Sequence, residues 1–328
     1  MRGQYQVKKW GQFARNLQYI WRMEKRLYSF LLSLFCLSVF FSSCKKDAEL
    51  IPDNNAPYYN EIPDVLIENY INRLYIDLLG REPLDAEMST ELAALKSTDL
   101  SFESRREIIV KLQTDTTFIE GDISYKIAYY HRQYEVIKVR MLEGASAAQI
   151  GEQMGPLAFS IYVDSLNENY VGMANGKQEL KKYQDLLDAE SEYRDSLITI
   201  NEVYRRMMVN GIYDIINMNT FNFINASFDN LFFRFPTDYE FYTGYDMVET
   251  NTSGILLGQP GQNKGDYLNI LISSREFYEG LIIFEYRNLL ARYPKTDETA
   301  TLIENLVLTN NLPLVQQEIM ITDEYAHF

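Results

Sequence analysis

The strongest constraint on the fold is a short pattern that occurs twice, once near each end of the chain. Residues 70–87 read YINRLYIDLLGREPLDAE and residues 281–298 read LIIFEYRNLLARYPKTDE, with a constant separation of 211 residues. Each stretch combines an apolar helical stripe, an arginine, a proline and an acidic helix start. This agreement predicts an internal duplication. The aligned pairs are Tyr75/Tyr286, Leu78/Leu289, Leu79/Leu290, Gly80/Ala291, Arg81/Arg292, Pro83/Pro294 and Glu87/Glu298.

The first copy predicts three successive helices. Apolar residues at three-and-four spacing form the stripe of the first helix, Gly80 provides a left-handed C-terminal stop, and Pro83 blocks continuation. Asp85-Ala86-Glu87 then starts a second helix, and a third starts near Ser101. The stripe consists of Ile67, Tyr70, Ile71, Leu74, Tyr75 and Leu78. Two copies are too few for a solenoid, so we expect them to pack together or to flank the region between them.

The predicted fold is mainly α: a multi-helix domain with two related terminal helical units and an aromatic, irregular loop region. The predicted units are residues 63–122 and 271–328, and residues 123–270 form a central helical section with the aromatic loop. We expect two or three long helices over 123–219, with a turn of the chain from Gly144 to Gly155. Residues 220–265 are rich in Phe, Tyr, Asn and Gly and predict loops with a short hairpin.

The LLGREP element, with its acidic helix start and a later helix that ends in an aromatic residue, resembles two families. One is a helical domain of unknown function in secreted bacterial proteins, in which LYxxLLGRxPxxxE is typical. The other is a helical module that accompanies cytochrome-type domains in large bacterial surface proteins. The resemblance covers about 55 residues per copy. It implies a helical fold and no catalytic residue, and this chain has no Cys-x-x-Cys-His haem motif.

Residues 25–44, KRLYSFLLSLFCLSVFFSSC, indicate the destination of the protein. A short basic segment precedes a mostly apolar run from Leu27 to Phe41, which is shorter than the roughly 20 residues of a membrane span. The cysteine after two serines resembles the lipobox of bacterial lipoproteins, which implies lipidation of Cys44. We therefore predict a signal peptide over residues 1–43, with Met23 as the true start; a plain secretory signal or an anchor helix is the alternative.

The residues after Cys44 predict a lipid-anchored linker over 44–62. Lys45-Lys46-Asp47-Ala48-Glu49 resembles the surface-export signal of outer-membrane lipoproteins in Bacteroidota, and a solvated tether is the alternative. The predicted location is the outer membrane, with the cell-surface face favoured over the periplasmic one. Three Asp-Ser/Thr sequences, at Asp115, Asp164 and Asp195, resemble O-glycosylation sites of the same bacteria.

Composition argues against several classes of function. The formal net charge is −15, which opposes binding to the phosphate backbone of nucleic acids. The two cysteines fall in the signal and at the lipidation site, so no thiol remains for catalysis. The only histidines are His131 and His327, too few for a zinc site or a catalytic triad. We predict no metal, no cofactor and no catalytic residue, and we favour a non-enzymatic protein over an enzyme.

Two sets of residues are assigned roles. Arg81 and Arg292 are predicted to be structural, to satisfy helix-end carbonyls or pair with Glu87 and Glu298, and Pro83 and Pro294 to end the helices. The residues predicted to bind a partner are Phe232, Phe233, Phe235, Tyr239, Tyr242 and Tyr245. The alternative to partner binding is that these six aromatic residues are buried in the core.

Two functions follow as hypotheses. The first is a non-enzymatic scaffold or accessory subunit, attached to the membrane by its lipid and bound to a protein of an outer-membrane uptake or export assembly. The second is a surface protein that binds or cleaves glycans, in which Asp238, Glu240, Asp246 and Glu249 offer carboxylates for acid catalysis. The favoured interpretation of those four residues is that they form a solvated acidic loop.

Overall fold

A computed structural model describes residues 62–117 and 123–328, which contain fifteen helices and one two-stranded hairpin. The prediction of a mainly helical fold is confirmed. The predicted signal, the predicted lipidation site Cys44 and most of the linker lie outside the described residues. Among the helices of these two ranges, none combines the length and apolarity needed to cross a bilayer.

The first three helices form unit A, at the place where the first copy was predicted. The stripe of α1 is fully buried, and the backbone at Gly80 has φ 75°, the left-handed conformation that ends the helix. Ser101 caps α3 by accepting a hydrogen bond from the Ser104 amide. The bounds are α1 (Asp64–Leu79), α2 (Asp85–Ser97) and α3 (Phe102–Thr114).

Residues 123–219 contain five helices: three long ones, in agreement with the two or three long helices predicted, and two short ones. The chain turns over Glu143–Ser146, and α5 then runs through Gly151, Gly155 and Pro156, so the predicted turn from Gly144 to Gly155 is too long. Ser146 and Gln149 form a capping box that starts this helix ahead of its glycines. The bounds are α4 (Tyr125–Leu142), α5 (Ala147–Leu166), α6 (Tyr170–Arg194), α7 (Ile200–Met208) and α8 (Gly211–Asn217).

The predicted irregular region is mostly helical, so this part of the prediction is wrong. Asn219 caps α9, and a capping box of Thr237 and Glu240 starts α10. The predicted short hairpin is present, with a turn at Leu257-Gly258 in which both residues have positive φ. The bounds are α9 (Thr220–Phe232), α10 (Asp238–Thr250), β1 (Gly254–Leu256), β2 (Gln259–Gly261) and α11 (Lys264–Ser273).

The last four helices follow without a long connection. Ser274 caps α12, which begins directly after α11. Ala291 ends α12 in the left-handed conformation with φ 53°, the role that Gly80 has in unit A. We call α12–α14 unit C. The bounds are α12 (Arg275–Leu290), α13 (Thr296–Thr309), α14 (Leu312–Met320) and α15 (Asp323–Ala326).

Units A and C pack against each other, as one of the two predicted arrangements requires. The Tyr70 hydroxyl donates to the Met320 carbonyl at 3.2 Å, and its ring meets the ring of Tyr325 edge-on. Arg105, with its side chain fully buried, donates to the Ile321 carbonyl at 2.8 Å and to the Asp323 carboxylate at 2.7 Å. The two ends of the described chain therefore share one core.

Candidate functional site

The predicted structural residue Arg81 joins the end of α1 to the start of α2. Its guanidinium donates to both carboxylate oxygens of Glu87, at 2.8 and 2.9 Å, and to the Glu82 carbonyl at 2.9 Å. Glu87 also accepts from the Leu84 amide at 2.7 Å, and the guanidinium lies over the Tyr75 ring. We call this arrangement an Arg–Glu clasp. Its glutamate accepts a hydrogen bond from a backbone amide at the start of the second helix, and its arginine fixes the geometry of the turn between the two helices.

Unit C contains the same clasp. Arg292 donates to both oxygens of Glu298, at 2.8 and 2.7 Å, and to the Tyr293 carbonyl at 3.0 Å. Glu298 accepts from the Lys295 amide at 2.6 Å, and the guanidinium lies over the Tyr286 ring. Each of these five residues occupies the position that the sequence alignment assigns to its counterpart in unit A. The turns containing Pro83 and Pro294 therefore share hydrogen bonds as well as sequence.

A third clasp lies between α9 and α10, where the sequence analysis expected loops. Arg234 donates to both oxygens of Glu240 at 2.8 Å and to the Phe235 carbonyl at 3.1 Å. Glu240 accepts from the Thr237 amide at 2.7 Å, and the guanidinium lies over the Phe228 ring. The geometry thus occurs three times. We call α9–α11 unit B.

The sequence contains the signal for unit B. Residues 228–240 read FDNLFFRFPTDYE and carry the arginine, the proline and the glutamate in the same register as the other two copies. Phe233 takes the place of Gly80 and adopts φ 58° without being a glycine. The glycine or alanine that ends the first helix of the other two copies is thus replaced by a half-buried phenylalanine.

Two of the clasps have a second carboxylate. Glu276 binds Arg234 at 2.9 Å, and Glu324 binds Arg292 at 2.7 Å. Both glutamates lie in the first turn of the helix that follows their unit, α12 and α15 respectively. The hydrogen bonds to Glu240 and Glu276 raise the pKa of Arg234, and those to Glu324 and Glu298 raise the pKa of Arg292. The arginines in turn lower the pKa of Glu240 and Glu298 to about 2. Glu240 therefore stays ionised and is unsuited to donate a proton, which removes one of the four proposed acids.

We expect the clasp of unit B to contribute measurably to stability. Replacement of Arg234 by alanine should lower the free energy of unfolding by about 2 kcal/mol, because two carboxylates lose charged hydrogen bonds at a half-exposed site where solvent screens part of the attraction. Urea unfolding at pH 7 measures this loss. Because the folded-state pKa of Glu240 is depressed, the contribution is complete above pH 4.5 and declines as the pH falls towards 2.

The matched control is Arg194→Ala, which removes a half-buried arginine whose ion pair is with its sequence neighbour Asp195. This change should shift the free energy of unfolding by less than about 0.5 kcal/mol. Equal effects of the two alanine variants would contradict the role assigned to the clasp.

The six predicted partner-binding residues divide into two groups. Phe232 belongs to the core, which matches the alternative for that residue. Phe233 is half-buried beneath two arginines, with the guanidinium of Arg140 3.9 Å and that of Arg287 5.1 Å from its ring centre. Phe232 therefore has almost no surface to offer a partner, and part of the Phe233 ring is covered by the two guanidinium groups.

The other four lie at or near the surface. Phe235, Tyr239 and Tyr242 are 72%, 64% and 66% exposed. Tyr245 is half-buried and stacks on Phe241 at 6.1 Å between ring centres. The helical start at Asp238 places Tyr239 and Tyr242 one turn apart, an order that the loop prediction did not provide.

Ring contacts join these residues into one surface. Phe241 meets Tyr242 at 5.4 Å and Phe221 of α9 at 4.9 Å, both edge-on. The Tyr239 hydroxyl donates to the Ile255 carbonyl of the hairpin at 2.9 Å. We define the aromatic face as Phe221, Tyr239, Phe241, Tyr242 and Tyr245. It is built on two helices and fixed to the hairpin, so its rings are held in place before any partner arrives.

The remaining candidates have local structural contacts. His131 pairs with Glu190 at 3.0 Å, and His327 contacts Arg73 at 2.6 Å. Glu249 bonds the Thr220 hydroxyl across α9 and α10. Within residues 62–117 and 123–328, no group of three or more His, Cys, Asp or Glu side chains is arranged to hold a metal ion.

One cleft is lined by basic residues, which is unusual for so acidic a chain. It has a volume of about 410 Å³ and lies between α6, α7 and the start of α11. Every cation in it is paired with a carboxylate, so the lining offers an anion no net positive charge. The basic residues are Lys181, Lys182, Arg205, Arg206 and Lys264.

A buried acid lies at the centre of the packed units. Glu285 of α12 accepts from the Gln316 amide at 3.0 Å, and Gln316 in turn accepts from the Tyr129 hydroxyl at 2.7 Å. Burial raises the pKa of Glu285 to about 7, and the nearby Asp77 carboxylate adds to the effect. The sequence analysis did not single out this residue, although the alignment pairs it with the fully buried Leu74.

Comparison with other proteins adds no relative to this description. No family model matches the chain, and no significant match is found among curated proteins or solved structures.

Proposed function

We propose that this protein is a lipid-anchored scaffold or accessory subunit of an outer-membrane uptake or export assembly, and that it docks a protein partner through the aromatic face. One observation carries the docking part: Tyr239 and Tyr242 are exposed one turn apart on α10, and Tyr242 is in ring contact with Phe241, which in turn meets Phe221 of α9. Tyrosine and phenylalanine are enriched where proteins bind one another, because they supply large contact area at low entropic cost. The membrane part rests on the lipobox-like sequence that ends at Cys44.

The composition of the face favours a protein over a bare charged ligand. Tyr242 and Phe221 offer apolar ring surface, and the hydroxyl of Tyr239 is already engaged by the hairpin. Asp238, Asp246 and Glu249 are exposed on the same helix and give the surroundings an acidic character. An apolar centre with a charged rim is the usual anatomy of a protein interface.

The test uses the tagged full chain in intact outer membranes. Chemical crosslinking, pull-down and mass spectrometry should recover a stoichiometric partner, and the double variant Tyr239→Ser/Tyr242→Ser should reduce its recovery at least tenfold. Tyr245 is left intact because it is half-buried against Phe241. Far-ultraviolet circular dichroism should show unchanged helix content, since both replaced rings are exposed.

Tyr293→Ser is the matched control, since this tyrosine is equally exposed but lies in unit C, away from the aromatic face. Its recovery of the partner should equal that of the parent chain. Full recovery with the double variant would remove the aromatic face from the proposal. A partnerless monomer in every preparation would reject the accessory-subunit function.

A glycan ligand is the second candidate, favoured by one observation. Tyr239 and Tyr242 present two exposed rings one turn apart, and flat aromatic surfaces can stack on sugar rings. Arrays of extracellular polysaccharides, probed with the full chain and with the double variant, separate the two functions. Binding that the double variant abolishes would support the glycan, and binding that persists in it would not.

A further inference from the structure

A tyrosine from the next helix of the chain covers the clasp of unit A. Tyr125, the first residue of α4, donates from its hydroxyl to Oε1 of Glu87 at 2.8 Å, and its ring meets the Tyr75 ring edge-on at 6.1 Å. The Lys111 ammonium of α3 lies 5.9 Å from the centre of the Tyr125 ring and pairs with Glu91. Side chains from all three helices of unit A therefore surround this tyrosine.

The residues around Tyr125 have counterparts in unit C. The separation of 211 residues gives the pairs Tyr75/Tyr286, Glu87/Glu298 and Glu91/Leu302. A deletion of four residues before the third helix changes the separation to 207 and pairs Lys111 with Glu318. The structure supports this register, because the buried residues of α3 and α14 then coincide. The coinciding pairs are Ile108/Val315, Ile109/Gln316, Leu112/Ile319 and Gln113/Met320.

In unit C the corresponding place is a cleft. Its volume is about 510 Å³, which lies within the range of ligand sites in proteins. The helix after α14 does not cover this cleft, because α15 packs on α1, where the Tyr325 hydroxyl donates to Asp77 at 2.8 Å. The four counterparts all line what we call the unit C cleft: Tyr286, Glu298, Leu302 and Glu318.

Two polar atoms of the unit C cleft lack the hydrogen bond that Tyr125 provides in unit A. Oε1 of Glu87 accepts from the clasp arginine and from Tyr125, whereas Oε1 of Glu298 accepts from the clasp arginine alone among the contacts of the described residues. The Tyr75 hydroxyl contacts that of Tyr125 at 3.4 Å, while the Tyr286 hydroxyl has no hydrogen-bond partner within residues 62–117 and 123–328. A phenol in the cleft would supply both hydrogen bonds.

The charges of the unit C cleft favour a basic partner. Among the described residues that line it, there are three carboxylates and no lysine or arginine. Glu298 and Glu318 pair with arginines that approach from outside the lining, so the excess negative charge is that of Asp297, which is exposed at the rim. A second copy of this chain, with its net charge of −15, is repelled by such a rim, and a segment with lysine or arginine is attracted.

We propose that the unit C cleft binds a tyrosine side chain of a partner protein, flanked there by basic residues, in the way that unit A binds its own Tyr125. The phenol ring lies against Tyr286, its hydroxyl donates to Oε1 of Glu298, and the basic neighbours lie at the rim beside Asp297. The cleft belongs to unit C and the aromatic face to unit B, so the variant Tyr239→Ser/Tyr242→Ser should leave binding at the cleft unchanged.

The first test titrates the purified full chain with three acetylated and amidated tripeptides, Lys-Tyr-Lys, Lys-Phe-Lys and Glu-Tyr-Glu, and follows isotope-labelled leucine methyl groups by NMR. Lys-Tyr-Lys should shift the methyl signals of Leu302 and Leu314, which both line the cleft. Its affinity should exceed that of Lys-Phe-Lys roughly threefold or more, because phenylalanine cannot donate to a carboxylate. Glu-Tyr-Glu should bind more weakly by a similar factor, because it opposes the acidic rim.

Two results of this titration would overturn the proposal. Equal affinities of Lys-Tyr-Lys and Lys-Phe-Lys would show that the cleft does not recognise a phenol. Shifts confined to leucines outside the cleft would place the binding elsewhere.

A matched pair of variants locates the binding by a second route. Leu302→Trp fills the cleft from α13 and should abolish the shift that Lys-Tyr-Lys causes at Leu314. Leu308→Trp lies on the same helix, where Leu308 is 81% exposed, and should bind the tripeptide like the parent chain. Undiminished binding by a folded Leu302→Trp variant would contradict the assignment.

The second test identifies the residue that fills the cleft in intact membranes. Thr301, an exposed residue of the lining, is replaced by the photoreactive p-benzoylphenylalanine, and mass spectrometry maps the link formed on irradiation. The linked segment should belong to a different protein and contain a tyrosine next to lysine or arginine. A link to a second copy of this chain, a link to a segment without tyrosine, or the absence of any link would overturn the proposal.

Discussion

Replacement of Gly280 by alanine is expected to lower the free energy of unfolding by about 3 kcal/mol, a large loss for the addition of one methyl group. Gly280 lies in the middle of α12, where this helix crosses the end of α9. A Cβ at this position would overlap the carbonyl oxygen of Leu231 and lie 3.0 Å from its carbonyl carbon. Because the obstacle is backbone, a rotamer change cannot relieve it, and units B and C would have to separate.

Urea unfolding of Gly280→Ala measures the effect, with Gly151→Ala as the matched control. Gly151 also lies within a helix, but a Cβ there meets nothing within 4 Å. The control should gain up to about 1 kcal/mol, since alanine is the better helix former. A Gly280→Ala variant as stable as the parent would show that the two helices are not in backbone contact.

Replacement of Glu285 by glutamine should raise the free energy of unfolding at pH 8 by about 3 kcal/mol. Burial raises the pKa of this carboxyl from its usual 4.5 to about 7, so the folded state must either keep a proton or hold a buried charge. The sign follows from proton binding. Below pH 4.5 the Glu285 carboxyl is protonated in both the folded and the unfolded state, so no stability is lost. Between pH 4.5 and 7 the folded state binds more protons than the unfolded state, so the free energy of unfolding declines as the pH rises.

Glutamine keeps the shape and a hydrogen-bonding partner for Gln316 and carries no charge at any pH. The parent should therefore lose stability between pH 4.5 and 7 more steeply than Glu285→Gln, which urea unfolding across this range would show. Glu279→Gln, half-exposed on the same helix, should follow the parent within about 0.5 kcal/mol. Identical pH profiles of Glu285→Gln and the parent would contradict the assignment.

The clasps illustrate what sequence alone could predict. The pairing of Arg81 with Glu87 involves a helix stop, a proline and a helix start within a few residues, and local patterns encode such contacts. The copy at Arg234 has a weaker sequence signal because Phe233 replaces the glycine or alanine of the other two copies, although Thr237 and Glu240 form a recognisable capping box.

The expectation of an irregular region around α9 is wrong for a related reason. Its buried residues follow helical spacing, as Phe223, Ile224, Phe228 and Leu231 show. Exposed Phe221 and buried Ser227 blur that pattern, because both reverse the usual relation of polarity to burial. Without the structure, an aromatic surface cannot be told from an aromatic core.

By itself, the sequence determined the helical class, the stripe of α1 and the clasp turns at both ends, because these depend on neighbours a few residues apart. Only the tertiary structure decided which aromatics are exposed, that Glu285 is buried, and that Gly280 lies against the backbone of α9. These depend on contacts between residues far apart in the chain, such as Tyr70 with Met320. Burial is a property of the packed units, and periodicity within one helix does not specify the surface that meets it.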